Sequence, residues 1–262
     1  MQSKMFSLVA LGSFLFLTVS CGGGDKAAEA PPADDEPAEK KVEGKTPDLS
    51  QAGSITGKVS FEGVPPKNAR IRMDADPVCI KQHSDKVYSD AVIVNENGTL
   101  SNVFVWIKTG LEQYTFPTPS EQATLDQKSC LYTPHVIGVQ VKQEIKILNS
   151  DPTTHNIHPL PKNNREWNQS QRALGNPLIK SFPRSEVMIP VKCNVHPWMK
   201  SYVGVVDHPY FMVTGAEGTF ELKDVPPGDY VIEAWHEKFG ATEQKVTVGA
   251  SESKEVSFSI KS

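Results

Sequence analysis

Side chains able to bind a soft metal ion gather in two short runs between Asn149 and Asp207: His155 and His158 in one, Cys193, His196 and Met199 in the other. The two histidines lie in the run Asn149-Ser150-Asp151-Pro152-Thr153-Thr154-His155-Asn156-Ile157-His158, and the other three in Cys193-Asn194-Val195-His196-Pro197-Trp198-Met199. Two loops thereby offer imidazoles, a thiolate and a thioether. Two histidines and a cysteine in a trigonal plane, with a weak axial methionine, form the ligand field of a blue copper electron-transfer site. Sulfur favours Cu(I) and imidazole tolerates Cu(II), so an ion suited fully to neither state reorganises little when an electron moves. The expected chemistry is one-electron transfer at a single mononuclear copper. A dinuclear copper centre needs two bridging thiolates in the ligand loop, and only Cys193 is present there. A structural zinc would take four strong ligands and leave Met199 without a role.

The first residues read as an export signal. Lys4 supplies the positive start, Met5 to Leu17 the apolar centre and Thr18-Val19-Ser20 the small-residue exit before Cys21. Leu17-Thr18-Val19-Ser20-Cys21 resembles the lipobox of bacterial lipoproteins, with Thr18 where that motif usually carries leucine. The resemblance implies that Cys21 is lipidated and that the protein sits on the periplasmic or cell-surface side of a bacterial membrane, held by its lipid alone. Residues 21–53 are rich in alanine, proline, glycine and acidic residues, as in Ala30-Pro31-Pro32-Ala33-Asp34-Asp35-Glu36-Pro37, and read as a disordered tether.

With Cys21 set aside, Cys79, Cys130 and Cys193 remain, and three thiols in an oxidising compartment cannot all pair within one chain. A Cys79–Cys130 disulfide leaves Cys193 as the free thiolate. The competing reading joins Cys79 and His83 to Cys130 and His135 as a second metal site of zinc type. His208 and His236 lack partners at ligand spacing and read as surface or satisfied residues.

The elements that must position these groups are strands. Ile55–Phe61, Ala91–Val94, Val103–Ile107, Ile137–Leu148, Val203–Val206, Phe220–Leu222, Tyr230–Trp235, Val246–Val248 and Val256–Ile260 are short β-rich runs, separated by turn signals such as Asn97-Gly98 and Pro226-Pro227-Gly228-Asp229. No helical stripe interrupts them, so the expected class is all-β, a sandwich architecture. Leu160–Ile179, with several asparagines and few aliphatic residues, reads as a long loop. The 262 residues carry a net charge of -4, with 27 basic against 31 acidic residues. No basic surplus is available for a phosphate backbone, so nucleic acid is not expected as a partner. No glycine-rich phosphate loop, His-Glu-x-x-His helix or Gly-x-Ser-x-Gly elbow is present, and the chain is not expected to be an enzyme.

Cys193-x-x-His196-Pro197-x-Met199 and His155-Asn156-Ile157-His158 resemble the ligand loops of the cupredoxins, blue copper proteins of the amicyanin and plastocyanin kind. The resemblance covers the middle third to half of the chain and implies a Greek-key β-sandwich over 101–210. It makes His155, Cys193 and His196 the equatorial ligands and Met199 the axial one. His158 is the competing first imidazole; along an extended strand the two rings point to opposite faces, so only one can reach the ion. Asn156 ties the two ligand loops together, with its backbone N–H aimed at the thiolate. Electrons are expected to pass at the far edge of His196, through an apolar patch supplied by Pro159, Leu160, Pro197 and Trp198. Gly215–Leu222 followed by Val225–Tyr230 resembles the carboxypeptidase regulatory-like domains of prealbumin type, implying a smaller β-sandwich over 211–262, with 54–100 a β-rich segment open to joining it. The function so read is an exported electron carrier between unidentified redox partners. A copper-delivery protein, and a structural β-sandwich with a vestigial copper fold, remain the alternatives.

Overall fold

A computed structural model describes residues 44–262. The leader, Cys21 and most of the tether lie outside the described residues. In chain order the elements are β1 (Gly53–Glu62), α1 (Pro77–Lys81), β2 (Phe104–Thr109), β3 (Ala123–Lys128), β4 (Leu131–Thr133), β5 (Val136–Gln140), β6 (Ile145–Asn149), β7 (His155–Pro159) and β8 (Gln169–Gln171). They continue as β9 (Leu178–Lys180), β10 (Glu186–Lys192), β11 (Lys200–Val206), β12 (Phe211–Val213), β13 (Thr219–Val225), β14 (Gly228–His236), β15 (Gly240–Val248), β16 (Ser253–Glu255) and β17 (Phe258–Lys261).

The protein is all-β in architecture, built as two sandwiches. In one, the sheet β5-β11-β10-β7-β8 covers β4-β3-β6-β9. Alternate residues of both sheets, among them Leu125, Ile147, Ile157, Ile189, Val203 and Val205, close its core, as period-2 patterning requires. In the other, β1 with β13, β16 and β17 covers β12-β2-β14-β15 around Ile55, Ile107, Phe220, Leu222, Ile232 and Phe258. This second sandwich takes β1 from the start of the described chain and β13 to β17 from its end, and completes its second sheet with β2 and β12, which flank the strands of the first sandwich in sequence. Its β2, which lies inside the span 101–210, hydrogen-bonds β14 in register Ile107↔Ile232 to Phe104↔Trp235.

Phe104 joins the two halves. It is fully buried with Val136, Met188 and Val206, and its ring lies over Gly138 and Gly204, where an added Cβ would come within 2.7 and 2.6 Å of it. Only glycine allows so close an approach on β5 and β11. A second link is ionic. His135, immediately before β5, meets Asp90 Oδ1 with Nδ1 at 3.1 Å and Glu237 Oε1 with Nε2 at 2.5 Å. An imidazole can donate to both carboxylates only when protonated. Burial opposes that charge, but the two acids outweigh it and lift His135 to about 9. A folded-state pKa above the usual 6.5 stabilises the fold fully below that value, and the contribution fades as pH rises through 9. We expect His135→Gln to cost on the order of 3 kcal/mol at about pH 7 and almost nothing at about pH 10. Urea unfolding of both proteins at the two pH values checks this. Tyr202, which donates to Glu237 at 3.1 Å, His236, held below its usual pKa mainly by burial, and Lys238, whose charge acts on both Glu237 and His236, are among the other titratable groups there.

Several local expectations change. Ala91–Val94 is no strand; only Val94 bridges, to Leu100. Ile137–Leu148 is two strands, broken by a turn in which Lys142 has φ +66°. The region 160–179 contributes β8 and the start of β9. Residues 44–53, read as tether, are laid onto the body: Lys45 N–H donates to Gln113 O at 2.9 Å, Thr115 N–H to Lys45 O at 3.1 Å, and Ser251 N–H to Gln51 O at 2.9 Å. Backbone pairing holds them, which composition does not reveal. His208 and His236 are both buried: His208 is satisfied, with Nε2 2.8 Å from Ile107 O, whereas His236 Nε2 has no hydrogen-bond partner among the described residues.

Candidate metal centre

β10 and β11 pair antiparallel, so residues 193–199 are the connection of a hairpin. β7 runs beside β10 with Val191↔Pro159 and Lys192↔His158 in register, which brings the start of β7 next to the start of that loop. Three hydrogen bonds fold the loop tightly: Cys193 N–H to Met199 O at 3.3 Å, Met199 N–H to His196 O at 2.9 Å, and His196 N–H to Cys193 Sγ at 3.4 Å. Asn156 welds it to β7, its Oδ1 accepting from Asn194 N–H at 2.6 Å and Val195 N–H at 3.3 Å, while its backbone N–H points to the Cys193 sulfur. Tyr132, on β4, adds a clamp by donating to Asn156 O at 2.6 Å, with Lys192 O at 3.1 Å.

His155, Cys193 and His196 meet in the interior, each offering a donor atom within 4.8 Å of the others. The Nδ1 atoms of the two rings are 2.8 Å apart, and Cys193 Sγ lies 3.9 Å from His196 Nδ1. All three residues are buried, and Met199 is buried in the same core. His158, three residues along β7, faces the other way, with Nε2 2.5 Å from Glu166 Oε1 and Nδ1 3.1 Å from Asn194 Oδ1. The first imidazole of the cluster is therefore His155.

Each ring is held from behind by a carboxylate. His155 Nε2 lies 2.7 Å from Asp151 Oδ2, and His196 Nε2 lies 3.0 Å from Asp76 Oδ2. Metal-binding histidines use this pattern, one nitrogen for the ion and the other for an acceptor that fixes ring and tautomer. Asp151 is itself fully buried, accepting from Ser129 N–H at 2.6 Å and Cys130 N–H at 2.7 Å. Despite its burial these bonds and His155 keep it below the ordinary carboxylate range. His155 in turn is opposed by burial but raised to about 9 by Asp151 and Cys193. Burial raises the Cys193 thiol, yet hydrogen bonds from His155 and the loop backbone win and lower it. His196 is lowered, chiefly by burial and by the charge of His155 against the pull of Asp76. The downward shift of Cys193 and the upward shift of His155 both favour the pair of charges that a cation would displace on binding. Two nitrogens and one sulfur, with a thioether on the same loop, fit a copper ion; His155, Cys193 and His196 would hold it, with Met199 as the weak fourth donor.

Cys79 and Cys130 form a disulfide. His83 Nε2 bonds Ser129 O at 2.8 Å and His135 serves Asp90 and Glu237, so these four residues do not make a second metal site. The disulfide has another consequence: it pins α1 over His196. Asp76 caps α1 by accepting Val78 N–H with Oδ1 at 2.8 Å, with Pro77 suited to the first turn. Its Oδ2, also bound by Thr153 Oγ1 at 3.0 Å, is then aimed at His196, while Cys79 Sγ stands 3.7 Å from the same Nε2. The expected open apolar edge at His196 is accordingly reduced, with Pro197 still exposed and Leu160 and Trp198 half-buried. His196 is 1% exposed and Pro159 is buried, because the 66–91 excursion covers that face. Asp76 lies 120 positions from His196, and no local pattern in the sequence marks it; Asp151, four residues before His155, was within reach of spacing arguments.

The fold and donor set define a chain of two β-sandwiches, one of which carries a buried cluster of two imidazoles and a thiol. A family model described as the BOS complex subunit NOMO1-like, second beta sandwich domain, matches residues 208–260. No curated protein sequence matches the chain. A Cu-containing nitrite reductase from Thermus scotoductus SA-01 is similar at 16% identity and a TM-score of 0.31, over 37% of this chain and 24% of that one. The chain thus spans about a quarter of that protein's length. A purple cupredoxin from Nitrosopumilus maritimus is similar at 20% identity and a TM-score of 0.27, covering 32% of this chain and 98% of that one. A Cu(I) form of an amicyanin variant is similar at 16% identity and a TM-score of 0.29, over 38% and 97%. These likenesses concern the fold alone.

Proposed function

We propose that the chain is an exported, lipid-tethered type 1 copper protein that carries single electrons between redox proteins on the periplasmic or cell-surface side of a bacterial membrane. One observation carries this reading: the Nδ1 atoms of His155 and His196 and the sulfur of Cys193 converge in a buried site, each ring braced from behind by a carboxylate. The ion supplies a one-electron couple. The protein's part is to hold the donors rigid, exclude water, and tune the thiolate through the Asn156 N–H. No substrate is transformed.

Delivery of copper to an acceptor uses the same donors, but burial of the cluster beneath the disulfide-pinned α1 favours retention. Titration of the metal-free full chain with Cu(II) tests both. The carrier reading expects saturation at one ion per chain, an intense visible thiolate-to-copper band, narrow copper hyperfine splitting in electron paramagnetic resonance, and slow loss to a chelator. A spectrum without the thiolate band rejects it, and rapid transfer to the chelator selects delivery.

A further inference from the structure

With His196 sealed by Asp76 and Cys79, an electron needs another way between the cluster and the surface. Trp198 supplies one. Its ring centroid is 5.0 Å from that of His196, its indole N–H donates to Cys130 O at 3.0 Å, and the side chain is half-buried, reaching a cleft of about 270 Å³. Exposed Arg70, Arg72, Lys200 and Lys238 line that cleft. None of the four forms an ion pair among the described residues. The two carboxylates there, Asp90 and Glu237, are both engaged by His135. A chain whose net charge is -4 thus concentrates positive charge beside the half-buried Trp198 ring.

We propose that this cleft is the electron port: Trp198 is the positioning residue that couples His196 to the surface, and the cleft docks a redox partner presenting negative charge. The inference rests on the electron-carrier reading. A local patch of one sign raises the encounter rate with an oppositely charged partner and makes it fall with ionic strength.

Two measurements on the full chain test it. In the first, the metal-free protein is titrated with the paramagnetic anion hexacyanochromate(III), and broadening of the four tryptophan indole N–H signals is followed by nuclear magnetic resonance. The Trp198 signal is expected to broaden first, and the Lys200→Glu/Lys238→Glu variant to lose the effect. In the second, the copper-loaded protein is reduced by hexacyanoferrate(II), which gives up one electron to become hexacyanoferrate(III) as Cu(II) becomes Cu(I). The charge-reversed variant is expected to react about 10-fold more slowly or worse at low salt, and Trp198→Leu to be slower with anionic and cationic reductants alike. Broadening that reaches the other three indole signals no later than Trp198, or rates indifferent to both substitutions in a protein with a normal thiolate-to-copper band, overturns the port and leaves the carrier reading intact. Absence of that band together with broadening at Trp198 overturns the carrier reading, and the port with it, leaving only an anion-docking cleft.

Discussion

Replacing Cys193 with serine is expected to abolish the visible thiolate-to-copper absorption that the proposed function gives the loaded full chain. The hydroxyl is a hard donor that does not ionise near neutral pH, so the soft anionic ligand is lost while both imidazoles remain. Cys193 is buried and takes hydrogen bonds from the Asn156 and His196 backbone. Serine is close in size and can accept the same bonds, so the structural cost is about 1 kcal/mol. The expected result is therefore a folded protein with a slightly lower unfolding midpoint and a colourless, ordinary copper spectrum. His155 should also lose part of its upward pKa shift, since burial alone lowers it and Cys193 is one of the two partners holding it near 9. An unchanged visible spectrum in the variant would remove the thiolate from the site.

The second large effect is on stability. The Cys79–Cys130 bridge closes a loop with a sequence separation of 51 residues, for which chain entropy gives about 4 kcal/mol of stabilisation. Cys79→Ala/Cys130→Ala is expected to lose most of that in urea unfolding, with both small side chains leaving little void in the core they share. The loss reaches the candidate site because the bridge alone ties α1 covalently to the turn between β3 and β4. Freed from it, Asp76 can leave His196, and the ring becomes open to solvent. Reaction of the metal-free protein with diethylpyrocarbonate should then modify His196 many times faster than in the parent. An unfolding midpoint within error of the parent would show that the disulfide does not hold this region in place.

Much of the candidate site was legible because its donors are crowded into two short runs. Cys193, His196 and Met199 occupy seven consecutive residues, and a tight connection between two strands must bring them to one end of a sheet. That only one of His155 and His158 can join the cluster was legible for a related reason, since residues three apart on a strand face opposite ways; that it is His155 was what the cupredoxin resemblance implied. The all-β class followed from alternation and turns. The weakest readings were those where side-chain pattern is not what places the chain: the anchoring of 44–53, held by backbone pairing, and Ala91–Val94, apolar enough for a strand but without a partner to complete one.

What the sequence by itself determined is the chemistry on offer: which atoms can bind a metal, that only one thiol of the ligand loop is free for it, and that strands must carry it. Tertiary structure alone decided the surroundings. Asp76 braces and covers His196 from 120 residues away, β2 leaves its neighbours to pair with β14, and His135 serves two distant acids instead of a metal. Such contacts join groups far apart in the chain, and their free energy is paid back only when the whole core closes around them. A local spacing rule reports what neighbours in sequence can do; it holds no term for a segment folded over the site from elsewhere.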